Sequence, residues 1–575
     1  MHVDLLIENV QVYNSYMKKF NEANVAVLDG RFLYIGERAQ ETFEATEVVK
    51  GEGRYLLPGL IDIHLHIEST MVTPESFSFG LIRNGVTTIA PEPHEIANVF
   101  GLAGVKQFMQ ASKHCVVDMF YAMPSSVPAT SLETSGGAIE IADLDELLKT
   151  EKISCLGEVM NYVDIISNSD SKINHILKHI RTNYPNLVIE GHCPILLDLD
   201  LHRVIYAGVD SDHTHQTIEG MKARIAAGMF IEIQEKSMTA EVMDYLICND
   251  VGEHFCFVTD DVMADSFQRR GHLNHLVRKA IAMGMEPEKA IYASTFTPAR
   301  RMRMHDRGAV APGKIADFLL VSQLESMTMD QVYKKGKKAY DINEEYIPQN
   351  NPYPFPVDYY QSVKLPLLKE QDFTVKVPVA DSLYNCRVMM VQDGSTFTKE
   401  QQAEVAVRDG ELDWQASPFG LIVTFERHGK NGNRGYGLIG GDTIKRGAVA
   451  TTYSHDNHNL LVIGHNPLDM MLAANEVIRS QGGFCVVEDG VILANLHLPV
   501  GGILTEEPLE QTAIEVNRLH QAMESLGYRH YNPIMSISTH SLPVSPALKI
   551  TDLGLIDVNQ GKVVPLLVEA EVHNG

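Results

Sequence analysis

Between about residues 55 and 303, short apolar runs alternate eight times with segments of helical period. The runs fall at 56–63, 86–90, 116–123, 155–159, 187–189, 208–210, 229–233 and 255–258. Helix-period stretches at 75–84, 144–150, 172–184, 218–227 and 241–249 lie between them, and 272–283 follows the last. A strand, a helix and a further strand make a crossover unit, which leaves the two strands parallel. Eight such units in roughly 250 residues predict an α/β fold built on a (β/α)8 barrel.

The flanking sequence reads differently. Residues 5–12, 24–28 and 32–35 are short strands, with Asp29-Gly30 as a hairpin turn. A strand at 318–321, after the Gly308–Pro312 stretch, is expected to return to them. Residues 1–54 and 304–342 are therefore expected to form a small composite β-sandwich around the barrel at 55–303. Residues 343–365, rich in Asn, Pro and Tyr, read as a linker. An α/β domain is expected over 366–575, with strands at 403–408 and 420–426 and helices near 469–480 and 511–526.

In such a barrel the loops at the C-terminal strand ends converge on one mouth. The first strand ends in His64-Leu65-His66, whose alternate spacing sends both imidazoles to one side. The fourth ends in Gly157-Glu158-Val159, the fifth in Glu190-Gly191-His192, the sixth in Ser211-Asp212-His213 and the eighth in Thr259-Asp260-Asp261. His64, His66, Glu158, His192, His213 and Asp260 thus fall on one rim, a nitrogen and oxygen donor set suited to Mn, Fe or Zn. A lone histidine is more often a structural polar group; the joint placement is what points to metal.

Composition narrows the partners. Asp and Glu outnumber Lys and Arg 74 to 48, a formal net charge of -26, which opposes binding to nucleic-acid backbones and anionic membranes. The seven cysteines are scattered without a C-x-x-C pair, as expected of free thiols in a reducing compartment. With no apolar run near the roughly 20 residues of a span, and no secretion signal after Met1, a cytoplasmic location is expected.

Several segments resemble the amidohydrolase superfamily, and within it the bacterial adenine deaminases. They are 57–69, containing Pro-Gly-Leu-Ile-Asp-Ile-His-Leu-His, then Pro93-His94-Glu95-Ile96-Ala97-Asn98-Val99, 157–161, Gly191-His192 and Ser211-Asp212-His213. Glu426-Arg427-His428-Gly429, Ser454-His455-Asp456-Asn457-His458-Asn459 and Leu542-Pro543-Val544 extend the resemblance over nearly the whole chain. It implies two divalent metal ions, Mn or Fe with Zn as an alternative, and a small-molecule purine base as substrate. One ion would take His64, His66 and Asp260, the other His192 and His213. Glu158 would join them in place of the carboxylated lysine of many superfamily members. Hydroxide formed between two cations would attack C6 of adenine. Asp260 would pass the proton to the leaving amine, giving hypoxanthine and ammonia. A homo-oligomer, taken as a dimer, is also expected.

The chain departs from the family pattern at Glu92, at Gln234 and Lys236, and in the Val262-Met263-Ala264 that follows Asp261. With His94, Glu95, Asp261, His455, Asp456 and His458, the residues Glu92 and Gln234 are candidate pocket residues. His455, Asp456 and His458 would cap the mouth, bind extra metal or make a structural turn. His272 and His275 read as packing or surface residues, and the basic run at 334–338 as a solvated face. Two other readings stay open: hydrolysis of a different heterocycle, for which the altered strand ends speak, and a silent scaffold, against which the intact donor set speaks.

Overall fold

The computed structural model describes residues 1–345, 354–377 and 379–568; part of the expected linker and residues 569–575 lie outside the described residues. His2–Asn14, Lys19–Leu28, Arg31–Gly36, Glu44–Lys50 and Tyr55–Pro58 share one eight-stranded sheet with the returning Phe318–Val321, Gln331–Lys334 and Lys337–Asp341. The turn between Leu28 and Arg31 has φ 51° at Asp29 and 71° at Gly30, the paired positive values that a tight two-residue hairpin requires.

The apolar run expected as one strand at 56–63 is divided. Tyr55–Pro58 pairs with Phe318–Val321 in this sheet, whereas Leu60–Leu65 opens the parallel series. The break falls at Gly59, where a Cβ would lie 2.1 Å from the Thr87 hydroxyl, so only glycine lets the backbone pass. The basic run also divides. Lys334 is buried with Nζ 2.6 Å from Asp317, while Lys335, Lys337 and Lys338 are exposed, because strand alternation turns Lys334 inward.

The parallel strands are Leu60–Leu65, Val86–Pro91, Asp118–Met119 continued by Tyr121–Met123, Ile153–Val159, Val188–Gly191, Ser211–Asp212, Phe230–Ile233 and Phe255–Phe257. They form three parallel sheets, and backbone hydrogen bonds carry the order from one sheet to the next. Phe120 N–H donates to Ile89 (2.9 Å), Asp210 N–H to Ile189 (3.2 Å), and Asp260 N–H to His64 (3.1 Å), which brings the last strand back to the first. The sixth strand begins later than expected at 208. Gly208, at φ 118°, still caps the helix Asp198–Ala207.

The C-terminal region holds a nine-stranded sheet with Ser382–Val391, Arg434–Gly441 and Gly420–Phe425 as neighbours near its middle. Helix Pro467–Arg479 packs on its strands. The region docks on the β/α part through helix Leu509–Ser525, which lies against Ala264–Arg270, and through Thr505 N–H donating to Met71 (2.8 Å). One continuous apolar cluster crosses the junction, from Leu81 and Phe267 to Leu509 and Met523. The segments 66–73 and 92–98, which follow the first two parallel strands, are buried. Among the described residues, no helix is long and apolar enough to cross a membrane.

Candidate functional site

His64 and His66 stand at the end of the first parallel strand with their rings 5.2 Å apart. A main-chain carbonyl can only accept, so the 3.2 Å contact from His66 Nδ1 to the Glu92 carbonyl fixes the proton on Nδ1. The Nε2 lone pair is then left facing Glu158 Oε1 at 3.4 Å and Asp260 Oδ1 at 3.6 Å. His64 Nε2 lies 3.6 Å from the same Asp260 oxygen and has no hydrogen-bond partner, although the residue is buried.

Glu158 presents its other oxygen, Oε2, to His192 Nδ1 at 2.9 Å and to His213 Nε2 at 3.2 Å. His213 stacks on His64 at 3.8 Å. Burial would raise the Glu158 carboxyl, but His213 and His192 outweigh it and hold it well below the usual range. Burial acts the same way on Asp260, and the His64 and His66 imidazoles beside it outweigh that effect and hold it well below the usual range. Asp260 has φ 58°, a left-handed turn that aspartate tolerates and that brings its carboxylate over the first strand. The structure thus gathers all six rim residues named from the sequence, and five of them are buried; His192 is partly open to solvent.

Orphaned buried nitrogen is costly unless something else satisfies it. His64, His66 and Glu158 place donor atoms within 4.8 Å of one another, and so do Glu158, His192 and His213. Imidazole nitrogens and carboxylate oxygens in that arrangement fit divalent cations, with Glu158 common to both groups.

The remaining candidates take varied positions. Glu92 is buried behind the rim, where Oε2 accepts from the Glu158 N–H at 2.6 Å; a Cβ on Gly157 would strike that carboxyl at 2.3 Å. Gln234 donates to the His213 carbonyl at 2.6 Å, steadying a rim residue from beneath. Asp261 is exposed and accepts from the Ser69 hydroxyl. His94, Glu95, His455, Asp456 and His458 form a second buried cluster, in which His94 Nδ1 stands 3.8 Å from Glu158. His275 pairs with Glu235 at 3.0 Å, and His272 is a buried packing residue whose pKa burial lowers to about 3.

Two nearby residues, Asp62 and Glu68, have no role in the sequence analysis, and Lys236 figures there only as a departure from the family pattern. Asp62 is fully buried and accepts from the Thr259 hydroxyl at 2.7 Å; burial raises it to about 7. Glu68 is buried with Oε2 unpartnered, and burial likewise raises it to about 7. Lys236 reaches to 3.7 Å from Asp260 Oδ2. The signal for Asp62 was available, since it interrupts the apolar run Leu60–Ile63.

Residues 55–339 match the amidohydrolase family, and residues 395–562 match the adenine deaminase C-terminal domain. A protein of Shouchella clausii (strain KSM-K16) called adenine deaminase 2 is 61% identical over 569 residues, covering 99% of this chain and 99% of that protein. An adenine deaminase of Clostridium perfringens (strain ATCC 13124) is 46% identical, covering 98% of this chain and 100% of the relative. Adenine deaminase 2 of Oenococcus oeni (strain ATCC BAA-331 / PSU-1) is 40% identical, covering 99% of each. A metal-dependent family, a donor cluster at its strand ends and full-length likeness agree: the chain belongs to the adenine deaminase family of the amidohydrolases.

Proposed function

We propose that the chain hydrolyses adenine to hypoxanthine and ammonia, with water replacing the C6 amine. The observation that carries this reading is the burial of Glu158 between two imidazole pairs within a family whose full-length relatives are called adenine deaminases. His64, His66 and Asp260 would hold one divalent cation and His192 and His213 a second, with Glu158 between them. Mn or Fe suits the mixed donors, with Zn as the alternative. When bound, such cations supply Lewis-acid charge that acidifies water near neutral pH.

The chain's own residues do the rest. Asp260, ionised and close to both first-strand imidazoles, takes the proton from the attacking water and returns it to the departing amine. The Glu92 carbonyl keeps the proton on His66 Nδ1, and Glu92 and Gln234 grip the backbones of Glu158 and His213. Burial of His64, His66, Glu158, His213 and Asp260 strengthens the charge interactions among them.

In this reading, 55–303 is a closed (β/α)8 barrel, 1–54 with 304–342 a composite β unit, 343–365 a linker and 366–575 a C-terminal α/β domain. Their support is the chain-order hydrogen bonding from first strand to last and the return of Phe318–Val321 to the N-terminal sheet. The unpaired cysteines support a reducing, cytoplasmic setting.

A different heterocycle is favoured by one observation, the Lys236 ammonium facing Asp260 at the mouth. Ammonia release from a panel of purines and pyrimidines, by chain loaded with Mn, decides between them. Adenine turnover to hypoxanthine is expected. Turnover of another ring with adenine untouched would sink the substrate assignment.

A further inference from the structure

The second cluster has the makings of a site of its own. His94 and Glu95 open the helix His94–Ala111, and His455 and Asp456 come from the C-terminal region, after the strand Ala448–Thr451. All four are buried, and one donor atom from each lies within 4.8 Å of the others. Glu95 Oε1 is approached by His94 Nε2 at 3.3 Å and still more closely by His455 Nδ1, yet no aligned hydrogen bond reaches it. Asp456 Oδ1 lies 3.6 Å from His455 Nδ1 and 3.9 Å from His94 Nε2, and Asp456 Oδ2 has no partner. Donors that crowd together without pointing at one another are arranged around a common point.

Among the described residues, neither Glu95 nor Asp456 has a lysine or arginine in ion-pair range. Two buried acids faced only by imidazoles, with no fixed positive charge beside them, suit a cation. Meanwhile His458 Nε2 engages the other oxygen of Glu95 and holds the carboxylate in orientation. We infer that His94, Glu95, His455 and Asp456 bind a further divalent transition-metal ion, separate from the two at the strand ends, which fastens the C-terminal region over the mouth. Two imidazoles and two carboxylates favour Mn, Fe or Zn over Mg or Ca.

Metal content tests the site without reference to turnover. Chain stripped with chelator, reloaded with Mn and desalted is expected to retain about three equivalents. A His455→Gln, Asp456→Asn double variant should retain about two, and Glu158→Ala about one. Wild-type chain holding two equivalents, unchanged in the double variant, would overturn the inference. If the double variant does not fold, anomalous scattering from crystals of the Mn-loaded wild-type chain decides: a peak between Glu95, His455 and Asp456 is expected, and its absence refutes the site. Should Glu158→Ala keep all its metal while the double variant loses one equivalent, the strand-end assignment fails and this site stands.

Discussion

Two sets of buried charges lie at opposite ends of the parallel strands, and they are neutralised differently. Near the N-terminal ends, Asp118 at the start of the third strand meets Arg307 at 2.8 Å and Lys334 at 3.0 Å, while Lys334 also reaches Asp317 at 2.6 Å. Acids and bases are matched there, and the Lys334 ammonium has a third acceptor in the Thr87 carbonyl. At the C-terminal ends, Glu158 and Asp260 face imidazoles, and the only ammonium in ion-pair range among the described residues is that of half-exposed Lys236. One end has built its counter-charges into the chain. The other leaves lone pairs such as His64 Nε2 without partners. A complete network serves stability, whereas an incomplete one is suited to receive something from outside.

The comparison breaks most sharply at Glu158. Glu158→Ala should lower adenine turnover by on the order of 10³-fold, the scale of losing a principal transition-state charge interaction. Full activity in this variant would overturn the assignment of the mouth.

Lys334→Met tests the other end. It strands Asp317 and Asp118 with one cation fewer, which should cost about 3–5 kcal/mol of stability. Urea denaturation of the metal-free chain measures it, and metal content in the folded fraction should not move. A loss of bound metal in step with stability would erase the distinction between the two ends.

A smaller effect is expected in acid. Burial alone would raise Asp118, but Lys334 and Arg307 hold it at about 2 against its usual 3.8. A depressed folded-state pKa means that Asp118 contributes stability above pH 3.8, and that this is lost as pH falls through about 2. Asp118→Asn should therefore flatten the acid limb of the stability curve in that window. An unchanged limb would show that the network does not depend on this charge.

Much of the mouth was legible because it follows local rules. Alternation places His64 and His66 on one side, and a charged Glu158 ending an apolar strand needs a partner. Strand order then predicts that His192, His213 and Asp260 arrive at the same level. The second cluster is legible as candidate pocket residues on separate motifs, with capping the mouth one of three readings of His455, Asp456 and His458. Glu95 and His458 stand 363 positions apart, and nothing in either segment says that they touch. Lys334 misled for a related reason: a run of lysines reads as solvated until a strand turns one of them toward buried acids.

The amino-acid pattern by itself determined the parallel strand–helix succession and which strand ends carry imidazole and carboxylate, because strand periodicity and crossover geometry act over a few residues. The docking of the C-terminal region decided that His455, Asp456 and His458 would meet His94 and Glu95 in a buried cluster. Such a meeting depends on how two apolar surfaces fit together, a property of the packed core and not of any segment within it.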